Sequence, residues 1–112
     1  MTDKTILCRL DDIDDGGSQR FTADVNGKPS ALLAVRTGER VFVYVNSCPH
    51  IGAPLDLIPG QFLSADGTHI LCANHGALFT IENGNCVHGP CSGEGLNPVA
   101  ATVKDGIVFL TA

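Results

Sequence analysis

Two short motifs each carry one thiol and one imidazole. The first is C-P-H at residues 48–50 and the second is C-A-N-H at residues 72–75, with residues 51–71 between them. Four soft or borderline ligands complete the coordination shell of one tetrahedral zinc ion, or give two ligands to each of two sulfide-bridged irons. The chemistry open to these residues is therefore that of a metal centre.

The way the ligands are distributed favours the second of these centres. In a two-histidine, two-cysteine zinc finger, one hairpin provides both cysteines and one helix provides both histidines, because a single ion collects each pair. Here each motif provides one ligand of each type, so two facing loops can hold both thiolates at one depth and both imidazoles at another. We expect an inner iron bound by Cys48 and Cys72 and an outer iron bound by His50 and His75. A structural zinc site is the alternative.

The elements that would position these motifs are β-strands. The clearest are the β-like runs at residues 30–36 and 40–46, the second of which alternates between two faces, and the short glycine-containing link between them predicts a hairpin. Asp105-Gly106 predicts a second hairpin with a type I′ turn, between strands at 99–104 and 107–111. Shorter strands are expected at 6–10, 20–25, 61–64, 69–72, 77–81 and 86–88. No segment shows helical periodicity over eleven or more residues, so the predicted class is all-β with little or no helix.

Composition limits the function. The 112 residues predict a single domain spanning 1–112. Seven basic and twelve acidic side chains give a net charge of −5, the wrong sign for binding nucleic acid or an anionic membrane. The chain shows no apolar run of signal-peptide or membrane-spanning length, so we expect a cytoplasmic protein. There, five cysteines indicate metal ligands or buried thiols rather than disulfides.

Longer segments around the motifs carry a family resemblance. They are C-P-H-I-G-A-P-L from residue 48, C-A-N-H-G-A-L-F from residue 72, G-P-C-S-G-E-G-L-N-P-V from residue 89 and K-D-G-I-V-F-L from residue 104. With these segments the sequence resembles a Rieske 2Fe-2S domain. It is most similar to the small soluble ferredoxins of bacterial ring-hydroxylating dioxygenases and to the related nitrite reductase small subunit.

The resemblance implies both a fold and a site. Antiparallel sheets would form a sandwich, with a two-loop cluster-binding part at about residues 46–92 and a basal β part formed by the remainder. The Rieske-type cluster would be bound by Cys48, His50, Cys72 and His75, with the two imidazoles at the exposed tip. We expect an apolar contact ring around that tip, formed by Ile51, Leu55 and Leu78.

The implied function is one-electron transfer without catalytic residues of its own. Electrons would come from an NAD(P)H-dependent flavoprotein reductase and pass to a terminal oxygenase, such as an aromatic-ring dioxygenase, or to a terminal reductase. Both complexes would be transient, because a shuttle must leave one partner before it meets the next. The alternatives are the small subunit of an assimilatory NAD(P)H nitrite reductase and a Rieske protein of another redox or maturation pathway.

Four positions differ from the high-potential members of the family. Ala53 and Asn74 stand where those proteins have two disulfide-bonded cysteines, so that bridge cannot form. Ala77 and Phe79 stand where they have a serine and a tyrosine whose hydroxyls hydrogen-bond cluster sulfur. Without these donors the reduced state is less stabilised, which predicts a reduction potential of roughly −150 mV rather than one near +300 mV.

The remaining cysteines and histidines have simpler interpretations. Cys86 and His88 imitate the first motif, but with two complete pairs present we expect them to be ordinary strand or turn residues. Cys91 is expected to be a buried thiol in the segment that covers the cluster. Cys8 is expected in the core and His69 on a partly exposed strand.

Overall fold

The computed structural model describes residues 4–25, 27–47, 55–56, 60–72, 76–89 and 95–111. Within these residues the chain forms ten β-strands and one 3₁₀ turn at Leu10–Asp12. The strands are β1 (Lys4–Arg9), β2 (Ser18–Val25), β3 (Lys28–Thr37), β4 (Arg40–Val45), β5 (His69–Cys72), β6 (Ala77–Thr80), β7 (Cys86–His88), β8 (Pro98–Val99), β9 (Ala101–Lys104) and β10 (Ile107–Thr111). The predicted all-β class is confirmed.

The strands form three antiparallel sheets. The terminal sheet has the order β1-β10-β9, the central sheet β2-β3-β4-β8 and the hairpin sheet β5-β6-β7. All their pairings are antiparallel. The predicted layered, antiparallel architecture is therefore correct, with three sheets in the described part of the chain.

Strand β3 of the central sheet is buried on both faces. Leu32 and Ala34 of β3 belong to the core shared with the terminal sheet, whereas Leu33 and Val35 belong to the core shared with the hairpin sheet. Because strand side chains alternate between faces, a run of four buried apolar residues is what a middle layer requires. This strand therefore connects the packing of the terminal sheet to that of the hairpin sheet.

Both predicted hairpins are present. β3 and β4 pair from Thr37 opposite Arg40 onward. In the second hairpin Asp105 and Gly106 have φ of 53° and 72°, the positive values that both central residues of a type I′ turn need.

Two predicted strands differ in the structure. The run at 99–104 is divided at Ala100, because Val99 pairs with β4 whereas 101–104 pair with β10, so the chain changes sheets at this corner. The segment 61–64 forms one isolated bridge, Leu63 to Ile70, rather than a strand. Its Phe62 N–H donates to the Ser18 hydroxyl instead of to a neighbouring strand.

Membrane-spanning helices are not found: in the described ranges no helix has the length and apolar character needed to cross a bilayer.

Candidate metal centre

The second motif starts where a strand ends. Cys72, the last residue of β5, is the cross-strand partner of Ala77, the first residue of β6. The Gly76 N–H donates to the Cys72 carbonyl at 2.9 Å, and Gly76 has φ of +70°, which glycine adopts without side-chain strain. Both ends of the loop are thus fixed by the backbone. Residues 73–75, with the predicted ligand His75, lie outside the described residues.

Alternation along these two strands directs Cys72 inward. The inner face of the hairpin consists of four fully buried side chains: Ile70, Cys72, Ala77 and Phe79. Leu71 and Leu78 alternate with them and are partly exposed. The Cys72 side chain therefore lies in an apolar core, at the point where the chain leaves the strand to enter the loop.

The first motif follows β4. Cys48 and His50 lie outside the described residues, but the chain on both sides of them is described. The Asn46 side chain accepts a hydrogen bond from Leu55 N–H at 2.8 Å and donates one to Asp56 Oδ1 at 3.0 Å. Its own N–H donates to the Ala31 carbonyl of β3. A buried asparagine thus joins the two ends of the segment that carries both predicted ligands.

Asp56 is a buried carboxylate with several partners. Its Oδ2 accepts a hydrogen bond from Gly60 N–H at 3.0 Å and lies 3.6 Å from Arg20 Nε. Burial of Asp56 opposes ionisation, but the hydrogen bonds from Asn46 and Gly60 and the Arg20 charge outweigh it, so the pKa of Asp56 is below its ordinary value. The carboxylate is therefore ionised at neutral pH.

The chain after β7 closes on the hairpin. Gly89 has φ of +104° and lies so close to Ala77 that an added Cβ would be 2.8 Å from the Ala77 Cα. Cys86 of β7 is buried opposite Phe79, and its thiol donates to the His88 carbonyl at 3.4 Å. Residues 90–94, including Cys91, lie outside the described residues, so the expectation for Cys91 is not tested.

Of the four predicted ligands, the structure describes Cys72 alone, so it does not test the ligand set as a whole. In the part of the chain that is described, no group of three or more His, Cys, Asp or Glu side chains could hold a metal ion. The residues nevertheless fit an iron-sulfur centre. A buried cysteine stands at the loop entrance, and soft thiolate is the ligand that such clusters use.

Other expectations have definite outcomes. Cys86 and His88 are strand residues, Cys8 is in the core, and His69 is partly exposed at the start of β5, as predicted. The proposed contact ring is wrong at Leu55, which is fully buried in the core that also contains Cys72. Burial removes it from any surface ring. Leu78 is partly exposed, and Ile51 lies outside the described residues.

The polar pair Asn46 and Asp56 was missed by sequence reasoning. A signal was available, because Asp56 stands alone in the apolar run P-L-D-L-I-P at residues 54–59. A carboxylate in such a run is buried at a high cost unless it has partners. The signal does not identify those partners, since Asn46 is ten residues away.

A family model described as the Rieske 2Fe-2S domain matches residues 3–104 of the chain. A search of curated proteins finds no match.

Several solved structures share the fold. A ferredoxin from Sphingomonas yanoikuyae B1 is 28% identical, with 98% of this chain and 99% of that chain covered and a TM-score of 0.74. A complex of reduced oxygenase and oxidised ferredoxin in carbazole 1,9a-dioxygenase gives 24% identity, coverage of 96% and 91%, and a TM-score of 0.73. A crystal structure described as a nitrite reductase NADPH small subunit gives 20% identity, coverage of 98% and 99%, and a TM-score of 0.70. At the two lower identities the likeness shows the fold alone.

Proposed function

The chain belongs to the Rieske 2Fe-2S domain family, whose cofactor is a Rieske-type 2Fe-2S cluster, and from this premise we propose that it is a freely diffusing one-electron carrier. In this role it accepts electrons from an NAD(P)H-dependent flavoprotein reductase and delivers them to a terminal oxygenase such as an aromatic-ring dioxygenase. It has no catalytic residues of its own and works in the cytoplasm as a component of an oxidoreductase system.

The ligands in this proposal are Cys48 and Cys72 for the inner iron and His50 and His75 for the outer iron. The observation that carries it is the position of Cys72, buried at the end of β5 with its loop closed by the backbone. When bound, the cluster supplies a one-electron redox couple. The buried face around Cys72 excludes water, and a preformed hairpin lowers the entropy cost of bringing the loop ligands together.

The residues next to Cys72 support a low-potential carrier. Ala77 and Phe79 are fully buried and have no side-chain hydroxyl. Hydrogen bonds from side-chain hydroxyls to cluster sulfur stabilise the added negative charge of the reduced state, and neither residue can donate one. A donor of low potential suits a carrier that must pass electrons onward to an oxygenase.

The partners are supported by the structural neighbours. The carbazole 1,9a-dioxygenase structure holds a ferredoxin together with its oxygenase. The second candidate function is the small subunit of an NAD(P)H nitrite reductase, favoured by the end-to-end match to a structure of that description. The two functions differ in the expected association, which is transient for the carrier and stable for the subunit.

The ligand assignment is tested by a pair of cysteine variants. Cys72→Ala and Cys86→Ala each remove one buried thiol from the same core, but only the first removes a proposed ligand. We expect Cys72→Ala to lose the visible absorbance and the low-average-g electron paramagnetic resonance signal of the reduced protein, whereas Cys86→Ala keeps both. If Cys72→Ala retained a full complement of iron with unchanged spectra, the assignment would be wrong.

The carrier role is tested with purified components. The iron-loaded protein is mixed with NADPH, a flavoprotein reductase and either a ring-hydroxylating oxygenase or a sirohaem nitrite reductase. Electron delivery to the oxygenase, without a complex that survives gel filtration, is the expected result. A stable complex with the sirohaem protein would favour the subunit instead.

A further inference from the structure

An open groove runs along one edge of the molecule, where β4 of the central sheet lies beside β9 of the terminal sheet. Its volume is about 350 Å³. Apolar side chains form its two walls, which are Val41 and Val43 on one side and Val99, Ala101 and Val103 on the other. We call this feature the edge groove, and its middle suits the apolar side chains of a ligand.

The edge groove is separate from the candidate metal centre. β6 starts at Ala77, the partner of Cys72, and ends at Thr80. Glu82, in the turn that follows, lines the groove. At about 3.3 Å per residue, β6 separates the two sites by about 10 Å along the hairpin sheet. A ligand in the groove would therefore bind whether or not the chain carries a cluster.

The backbone of Val41 faces the groove. Arg36, its cross-strand partner in β3, directs its N–H and its carbonyl to the 16–17 turn, so Val41 and Arg36 form a non-hydrogen-bonded pair. In such a pair the polar backbone groups of both residues point away from each other. The N–H and the carbonyl of Val41 therefore point to the side where β4 pairs with β8.

The central sheet stops one position short of Val41 on that side. The pairing of β4 with β8 ends at Val43. Its continuation would place Ala101 opposite Val41, but the chain changes sheets before that point and Ala101 pairs with Leu110. Within the described ranges, Val41 thus has no strand partner on the groove side. A free strand edge of this kind is where an extended peptide adds as a further strand.

Both ends of the groove are acidic. Glu39 lies in the β3–β4 turn at one end, where it also lines a neighbouring cavity with Asp105. Glu82 lies at the other end, next to Ile81, whose carbonyl accepts the Tyr44 hydroxyl at 2.6 Å. Burial and the charge of Glu82 raise the pKa of Tyr44 to about 12. Neither glutamate forms an ion pair with a described residue.

Arg40, the basic side chain in the described lining of the groove, is already engaged. Its Cζ lies 4.8 Å from the centroid of the Phe42 ring, within the range of a cation–π contact. Arg40 therefore leaves Glu39 and Glu82 without a cationic partner. Charge complementarity favours an incoming segment with a basic residue at each end.

We propose that the edge groove docks an extended segment of a partner polypeptide that is apolar in its middle and basic at both ends. The segment adds to β4 as a strand paired with the Val41 backbone, and its basic ends face Glu39 and Glu82. Since Glu39 and Tyr44 are five residues apart in the sequence, the two basic residues should be about five or six residues apart. This docking goes beyond the proposed electron transfer.

The probe for the test is the fluorescein-labelled peptide K-T-V-T-V-T-K, and fluorescence anisotropy measures its binding to the iron-loaded full chain. We expect saturable binding that is about threefold or more weaker in Glu39→Lys and in Glu82→Lys, because each change replaces an attraction with a repulsion. Asp24→Lys is the matched control, since it makes the same charge change at an exposed position of β2, the opposite edge of the central sheet. It should leave the affinity unchanged.

Absence of saturable binding, or equal weakening in all three variants, would overturn the proposal. The peptide E-T-V-T-V-T-E should not bind, and equal affinity for the two peptides would reject the charge complementarity. Hydrogen exchange locates the added strand: saturating K-T-V-T-V-T-K should slow exchange at the Val41 amide by about tenfold or more and leave the amides of β2 unchanged. Unchanged exchange at Val41 would show that no strand is added.

A second copy of this chain is the other occupant that the test must address. Sedimentation velocity at the protein concentrations of the binding assay should show a monomer. A dimer that Glu82→Lys dissociates would assign the groove to self-association and overturn the docking of a partner segment.

Discussion

Gly89→Ala should damage the packing beside the second ligand loop. At φ of +104° an L side chain is strained, which costs about 1–3 kcal/mol. The new methyl would also lie 2.8 Å from the Ala77 Cα and 3.1 Å from its Cβ. Backbone cannot rotate away as a flexible side chain can, so overpacking adds about 1–3 kcal/mol. We expect the free energy of unfolding to fall by about 2–6 kcal/mol.

Gly67→Ala is the matched control, because Gly67 has φ of +73° and open space where a Cβ would be. It should cost only the backbone strain, about 1–2 kcal/mol. Urea denaturation of both apoproteins measures the difference. Equal losses for the two variants would refute the close approach of Gly89 to Ala77. Because Ala77 is the partner of Cys72, Gly89→Ala should also reduce the iron content after reconstitution.

Three further predictions concern the potential, the pH dependence and thiol reactivity. Ala77→Ser should raise the midpoint potential in protein-film voltammetry by about 60–130 mV above a wild-type value near −150 mV. A hydrogen bond to a charged group contributes about 1.5–3 kcal/mol, and for a one-electron couple about 59 mV corresponds to a tenfold change in the equilibrium constant. Ala34 is equally buried but lies in the other core, so the control variant Ala34→Ser should leave the midpoint potential unchanged. A wild-type midpoint potential well above 0 mV would contradict the low-potential assignment. The lowered pKa of Asp56 means that its contribution to stability is present above the unfolded-state pKa and is lost as pH falls through the folded-state pKa. Unfolding measured from neutral pH to about pH 2 should therefore show a shallower acid limb in Asp56→Asn, and an unaltered limb would count against the buried carboxylate. Burial and the nearby negative charge of Asp12 raise the pKa of the Cys8 thiol to about 11. Iodoacetamide at pH 8 should therefore alkylate Cys8 about a hundredfold more slowly in the folded protein than in the urea-unfolded chain. Rapid labelling of the folded protein would place Cys8 outside the core.

Sequence patterns predicted those parts of the fold that depend on residues close to one another in the chain. The β3–β4 hairpin follows from two apolar runs on either side of a glycine link, and the turn at Asp105 and Gly106 follows from residues that tolerate positive φ. The division of the 99–104 run could not be predicted, since no glycine or proline interrupts it. Which sheet Val99 and Ala101 each join depends on partners distant in the sequence.

The candidate site, too, could be predicted only in part from the sequence. Residue type and spacing identify the ligand motifs, because metal chemistry restricts which side chains can serve. The burial of Leu55 was not predictable from its place beside the first motif, since a loop position does not reveal which core it faces. The bond between Asn46 and Asp56 is likewise a tertiary contact, formed only when β4 and the 55–56 segment meet.

Different contacts hold the described ends of the two ligand loops, so we expect acid to affect these contacts to different extents. The described ends of the second loop, Cys72 and Ala77, are paired in the β5–β6 hairpin, whose bonds join residues close in the sequence. Asn46 is joined to residues 55–56 by a buried amide and carboxylate, and a buried polar group left without its partner costs about 1–3 kcal/mol. Acid protonates Asp56 but removes no backbone bond between Cys72 and Ala77. Lowering the pH of the apoprotein through the folded-state pKa of Asp56 should thus increase exchange at the Leu55 amide before it affects the amides of β5 and β6. Simultaneous loss of protection would show that both sets of contacts open as one unit.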